Sequence, residues 1–176
     1  MMASGWLRGV VGALLGLSWA VGAGAAEQGA TGTASGLPVP RFVSLKSDKV
    51  NVRSGPTKDH DVAWVYSRAA LPVEVTAEFE NWRRIRDWEG AEGWVYHSLL
   101  SGRRTALVSQ PKGKTELVEL RARPDAAAAV MAWLQSGVLG SVKRCQNNWC
   151  RVIGEGFDGW IEQSRLWGVY PGEKVE

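Results

Sequence analysis

Between residues 50 and 100, apolar and polar side chains alternate with a period of two, and turn-forming residues interrupt them every few positions. Val50 and Val52 alternate with Asn51 and Arg53, the pattern of a strand with one buried face, and Ser54-Gly55-Pro56 ends it. Val62 to Tyr66 is β-branched and aromatic, which suits a pleated surface. The next run predicts the clearest strand, with Val73, Val75, Ala77 and Phe79 on one face and Glu74, Thr76, Glu78 and Glu80 on the other. After a tight turn at Glu80-Asn81, Trp82 to Trp88 predicts the returning strand, and Trp94-Val95-Tyr96 predicts a last short one beyond Gly90 and Gly93. Five such strands are too few for two stacked sheets. A bent sheet rolled into a small barrel buries one face and removes most of the free edge.

The same pattern occurs twice. VNVRSGP at 50–56 is matched by VELRARP at 118–124, WRRI at 82–85 by WCRV at 149–152, and GAEGWVYHSLL at 90–100 by GFDGWIEQSRL at 156–166. Three blocks in one order with nearly equal spacing define an internal repeat. One segment conflicts with the strand pattern locally: Asp125 to Val130 followed by Met131 to Leu134 is rich in strong helix formers. The repeat register places Val130 to Leu134 opposite Val62 to Tyr66, and a strand is expected there, because tertiary context overrides a preference of a few tenths of a kcal/mol per residue.

VNVRSGP, the segment from Trp82 to Ile85 and GWVYHSLL together resemble the bacterial SH3-like domains of exported proteins, in which a Val-Arg-Ser-Gly-Pro turn is followed later by Gly-Trp-Val. SLLSGRR at 98–104 and RLWGVYPGE at 165–173 resemble the tandem-copy proteobacterial form. The resemblance spans roughly residues 41 to 171. It implies an all-β chain of two small barrels used for binding or assembly, often beside cell-wall enzymes. The second copy departs from the pattern at Arg123, which stands where the first has Gly55. If that site required positive φ, arginine would be strained there and the second turn would differ in shape.

Ahead of the repeats, Met1 to Arg8 and the apolar run Gly9 to Val21 precede small residues at Ala23-Gly24-Ala25, the layout of a signal peptide cleaved after Ala25 or Ala26. The apolar run is shorter than the roughly 20 residues a membrane-spanning helix needs. Export to the periplasm or beyond is therefore expected, with no membrane attachment after cleavage. Residues 26–40, AEQGATGTASGLPVP, read as a flexible linker. The expected organisation is a leader over 1–25, that linker, a first barrel over 41–105, a connection over 106–114 and a second barrel over 115–171. Net charge is +3 and falls to +2 without Arg8, too little for the clustered basic face that nucleic acid requires.

Cys145 and Cys150 are the only cysteines, and in an oxidising compartment they are expected to pair, stapling the hairpin that Phe79 helps to pack in the first copy. No cofactor or metal site is expected: two cysteines seldom satisfy zinc, and His60 and His97 lie in the other repeat. An enzyme is not expected either. The copies share no catalytic residue type, His97 becoming Gln163 and His60 becoming Ala128, and oxidation would remove a cysteine nucleophile.

Binding is the better reading. Of ten tryptophans, eight lie beyond the leader, more than two small barrels can bury. Alternation from Trp82 to Trp88 puts Trp82, Arg84, Arg86 and Trp88 opposite Ile85, so these four form the candidate ligand stripe, able to stack on glycan rings or hold peptide carboxylates. The competing reading pairs these arginines with Glu74, Glu78 and Glu80 across the strands as a salt-bridged surface. Two functions follow: a non-catalytic binding module for peptidoglycan or cell-wall peptides, or an assembly factor whose partner is another periplasmic protein.

Overall fold

The computed structural model describes residues 30–109 and 116–176. The leader expected over 1–25, the first residues of the linker and most of the expected connection lie outside the described residues. Among the described residues no helix is long and apolar enough to cross a membrane.

Two seven-stranded antiparallel sheets follow one another. The first contains β1 (Arg41–Leu45), β2 (Val50–Arg53), β3 (Val62–Tyr66), β4 (Pro72–Phe79), β5 (Trp82–Arg86), β6 (Glu92–Tyr96) and β7 (Leu100–Ser101), in the order β3-β2-β6-β5-β4-β1-β7. The second contains β8 (Thr105–Val108), β9 (Val118–Arg121), β10 (Val130–Leu134), β11 (Leu139–Gln146), β12 (Trp149–Gly154), β13 (Phe157–Glu162) and β14 (Leu166–Trp167), in the equivalent order β10-β9-β13-β12-β11-β8-β14. Each has two strands more than the five expected, because a short opening and a short closing strand pair with each other at one edge. Val130–Leu134 is a strand, as the repeat register requires, with Leu134 buried and Met131 and Trp133 exposed.

Each sheet wraps its own core. Val50, Val52, Val73, Val75, Ile85 and Val95 fill the first, and Val118, Leu120, Val152 and Ile161 fill the second. Gly93 and Gly159 stand where strands come closest: a Cβ at Gly93 would run into the side chains of Val52 and Trp64, and one at Gly159 into Leu120. The repeated arginine of the first block has one task in both copies. Arg53 Nη1 donates to the His60 carbonyl at 2.6 Å, and Arg121 Nη1 donates to the Ala128 carbonyl at 2.6 Å, closing the loop after the strand. Gly55 does not have positive φ, so Arg123 carries no strain of that kind. Glycine is needed at 55 because the His60 imidazole lies against it; the second copy has the smaller Ala128 there, which leaves room for Arg123.

The structure corrects four expectations. The first concerns β4. Its pairing with β5 shifts between Val75 and Ala77, so that Val75 faces Ile85 but Ala77 faces Arg84. One extra residue reverses the side-chain parity of everything after it. Phe79 is therefore 48% exposed, whereas the Glu78 side chain is fully buried. Glu74, also expected outside, is buried because the second repeat covers it.

Second, the disulfide Cys145–Cys150 does not replace Phe79 packing. β11 has the same shift, between Val142 and Arg144, and Cys145 faces Cys150 where Glu78 faces Arg83. A covalent bond thus occupies the place of an ion pair, Arg83 Nε to Glu78 Oε1 at 3.2 Å. Asn147 and Asn148 both have positive φ and make the tight turn between them. The closed loop is short, so the double variant Cys145→Ser with Cys150→Ser should destabilise the chain by about 2 kcal/mol, the low end for disulfides. Denaturant midpoints with and without reductant would check this, and equal midpoints would count against it.

Third, residues 30–40 are not free linker. Gly32 N donates to the Leu37 carbonyl and Val39 N to the Ala30 carbonyl, folding the segment into a compact loop. The loop sits on Glu78, whose carboxylate accepts from Ala34 N at 3.1 Å, Ser35 N at 2.9 Å, Ser35 Oγ at 2.6 Å and Arg41 Nη2 at 2.8 Å. Composition alone read as linker because glycines and small polar residues also build anion-cradling loops. Burial pushes the Glu78 carboxyl up, but the donors from Ser35, Arg41 and Ala34 outweigh it and hold the group at about 2, against an ordinary 4.5. A depressed folded-state value means the contribution is complete above pH 4.5 and is lost as pH falls toward 2. Amide protection at Ala34 and Ser35 should fall across that window in hydrogen exchange; protection unchanged in Glu78→Gln would refute the latch.

Fourth, the connection expected over 106–114 begins with a strand. All four residues of β8 are buried. Ala106 and Val108 enter the second core and Leu107 enters the first, so β8 is the seam between the barrels. A strand buried on both faces reads as a continuous apolar run, without the alternation that marked the others.

The seam is extended by the end of the chain. Trp167 packs edge-on against Phe42, with ring centroids 5.1 Å apart, and its Nε1 donates to the Pro72 carbonyl at 3.1 Å. Tyr170 lies 4.7 Å from Phe42 and donates its hydroxyl to Glu74 Oε1 at 2.9 Å. Thr105 Oγ1 donates to the Ala70 carbonyl at 2.8 Å. Beyond it, Arg104 pairs with Glu173, and Val175 bridges to Cys145. The two barrels therefore meet through specific contacts contributed by both repeats.

Candidate functional site

The stripe expected from Trp82 to Trp88 is divided by the fold. Ile85 and Asp87 face inward and Arg84 and Arg86 outward, as alternation requires. Trp82, however, is only 8% exposed, because Tyr96 directly across the strand pair lies edge-on against it at 5.5 Å. Trp88 sits in the turn after β5, over Tyr66, and Asp87 anchors that turn by accepting from Glu89 N, Ala91 N and the Tyr66 hydroxyl. β5 ends at Arg86, so Trp88 lies in the turn beyond and not on the strand that carries Trp82. Arg86 is bound to Glu74 through Nε at 2.9 Å, and Arg84 to Glu92 at 2.5 Å. Of the cross-strand pairs in the competing reading, Arg86 with Glu74 is present, whereas Arg84 takes Glu92 and Glu78 takes Arg41 and Arg83. Arg84 and Arg86 share the outer face, but Trp82 is covered and Trp88 lies off the strand.

A different surface is open. On the second barrel a groove of about 750 Å³ runs between the outer faces of β9, β10, β12 and β13. Trp133, 56% exposed on the edge strand β10, forms one wall, and the half-buried Trp149, opening β12, forms another. Leu117, 48% exposed, supplies further apolar surface. Glu116, Val118, Glu119, Arg121, Glu162 and Arg165 complete the lining. Arg121 is committed on two sides, to Glu119 and to the Ala128 carbonyl. Among the described residues Arg165, Glu116 and Glu162 make no ion pair.

Local structure explains why these side chains converge. Glu119 stands opposite Trp133 across β9–β10, and Glu162 opposite Trp149 across β12–β13. Inward neighbours Leu120, Cys150 and Ile161 belong to the core, so the alternate positions must point out. Sequence reading passed over this site because its residues come from four strands, and it ranked the first copy's Trp-Arg run above an isolated Trp133. The available signal was Trp133 in place of Val65, a large aromatic residue where the other copy has a smaller one; the structure shows both positions exposed.

The cysteines are joined, and His60 and His97 are exposed on the other barrel. Among the described residues no group of three acidic, histidine or cysteine side chains could hold a metal ion.

Fold and repeat together define a tandem pair of SH3-like barrels. A bacterial SH3 domain model matches the chain twice, over residues 46–102 and 114–168, which is more than half of its length. The chain belongs to the bacterial SH3 domain family. No curated protein matches it. Among solved structures it is similar to NlpC1 from Trichomonas vaginalis, with 11% identity, a TM-score of 0.33, and coverage of 77% of this chain and 48% of that one. NlpC2 from Trichomonas vaginalis has 12% identity, a TM-score of 0.31, and coverage of 73% and 48%. The chain spans about half the length of those structures, and the likeness is too weak to bear on function.

Proposed function

We propose that this chain is an exported, non-catalytic binding protein for cell-wall material, peptidoglycan or its peptides, and that the groove of the second barrel is where it binds. The observation that carries this reading is the pair of accessible indoles, Trp133 and Trp149, in one groove with charges that make no ion pair among the described residues. Indole faces stack on flat apolar ligand surfaces, and buried aromatic and arginine anchors dominate binding energies. Membership of the bacterial SH3 family supports the envelope as the setting. The paired cysteines and the exposed, separated histidines support a role without catalysis.

Sedimentation tests it directly. Purified insoluble cell wall should carry the full chain into the pellet at moderate salt, and a chain left in the supernatant would reject the reading. The second reading, assembly with another periplasmic protein, is favoured by the seam, which holds the two barrels against each other through specific contacts. It would be supported by a chain that ignores wall material but forms a defined complex with a protein from the same compartment.

A further inference from the structure

The two barrels share one strand order, so each position has a counterpart that serves as its control. The residues lining the groove of the second barrel differ from their counterparts in the first. In the first barrel Tyr96 covers Trp82, and Leu99 packs against the core. The corresponding residues in the second are Glu162 and Arg165, which leave Trp149 half open. Val65 corresponds to Trp133, and Lys49 to Leu117. Two apolar covers have therefore been exchanged for charges of opposite sign, and two peripheral positions for large apolar groups.

We infer that the chain has one ligand site, in the second barrel, and that it takes a peptide carrying both an ammonium and a carboxylate group, not a neutral glycan. The inference rests on the cell-wall reading above and names the part of the polymer that is held. A neutral sugar gains from the indoles but would cover Glu116, Glu162 and Arg165 without compensating their lost hydration. A peptide with charges of both signs offers Arg165 a carboxylate for a paired hydrogen bond and offers the two glutamates an ammonium. Its apolar portion lies against Trp133, Trp149 and Leu117. Charge complementarity of this kind fixes orientation as well as affinity.

Indole fluorescence titration of the full chain tests this with three probes: free-ended Ala-Glu-Lys-Ala, uncharged acetyl-Ala-Gln-Met-Ala-amide, and chitotetraose. The charged peptide should bind at one site per chain, about tenfold tighter than either neutral probe. The double variant Glu162→Tyr with Arg165→Leu, which gives the second barrel the first barrel's covers, should lose that margin. Arg165→Gln keeps size and polarity, and should lose most of the margin without disturbing the fold. Equal affinity for charged and uncharged peptide, tighter binding of chitotetraose, or two sites per chain would each overturn the inference. If the chain pellets with wall but ignores the charged peptide, this inference alone falls. If it does neither, the cell-wall reading falls with it.

Discussion

Trp133→Ala should remove most of the retention of this chain on insoluble cell wall, with a loss of about 2 kcal/mol, or roughly thirtyfold in affinity, the size expected of an aromatic hot spot. The residue is 56% exposed and belongs to an edge strand, so its removal leaves no cavity in the core. Circular dichroism and the melting temperature should stay close to those of the parent, which separates a binding defect from unfolding. Trp149→Ala should act in the same direction. Arg84→Ala is the informative comparison: its partner Glu92 is on the neighbouring strand of the first barrel, away from the groove, and retention should be preserved. Retention lost in Arg84→Ala but kept in Trp133→Ala would move the site back to the first barrel.

Trp167→Ala should have the largest effect on stability. The indole closes the seam by packing on Phe42, and its nitrogen is hydrogen-bonded to the Pro72 carbonyl of the other repeat. Truncation removes both and leaves that carbonyl without its donor, for a cost of about 2–4 kcal/mol. The form of unfolding should change too. Barrels near 60 residues are marginal alone, and in the parent the shared seam should make them unfold in one transition. In the variant, scanning calorimetry should resolve two. A single transition at an unchanged midpoint would mean that the barrels do not depend on each other through this contact.

The repeat was legible because it is written locally. Alternation in VNVR and VELR, the turn residues after them and the Gly-Trp steps each depend on neighbours in the chain, and a pattern seen twice survives ambiguity in either copy. Pairing of the two cysteines was legible in the same way, from their proximity in the chain. Four residues defeated local reading. Glu78 and Phe79 change faces at a one-residue bulge in β4, whereas Glu74 and Trp82 keep the faces alternation gives them but are covered, Glu74 by the end of the chain and Trp82 by Tyr96. None of these events is encoded within the strand they alter.

Strand content, duplication and the lack of a shared catalytic residue type were thus set by composition and spacing along the chain. The tertiary structure decided which tryptophan is covered, since that depends on what stands across the sheet from each: Tyr96 over Trp82, Glu162 beside Trp149. It also decided that residues 30–40 fold onto Glu78 and that β8 serves both cores, because burial is settled by distant partners and not by a residue's own type.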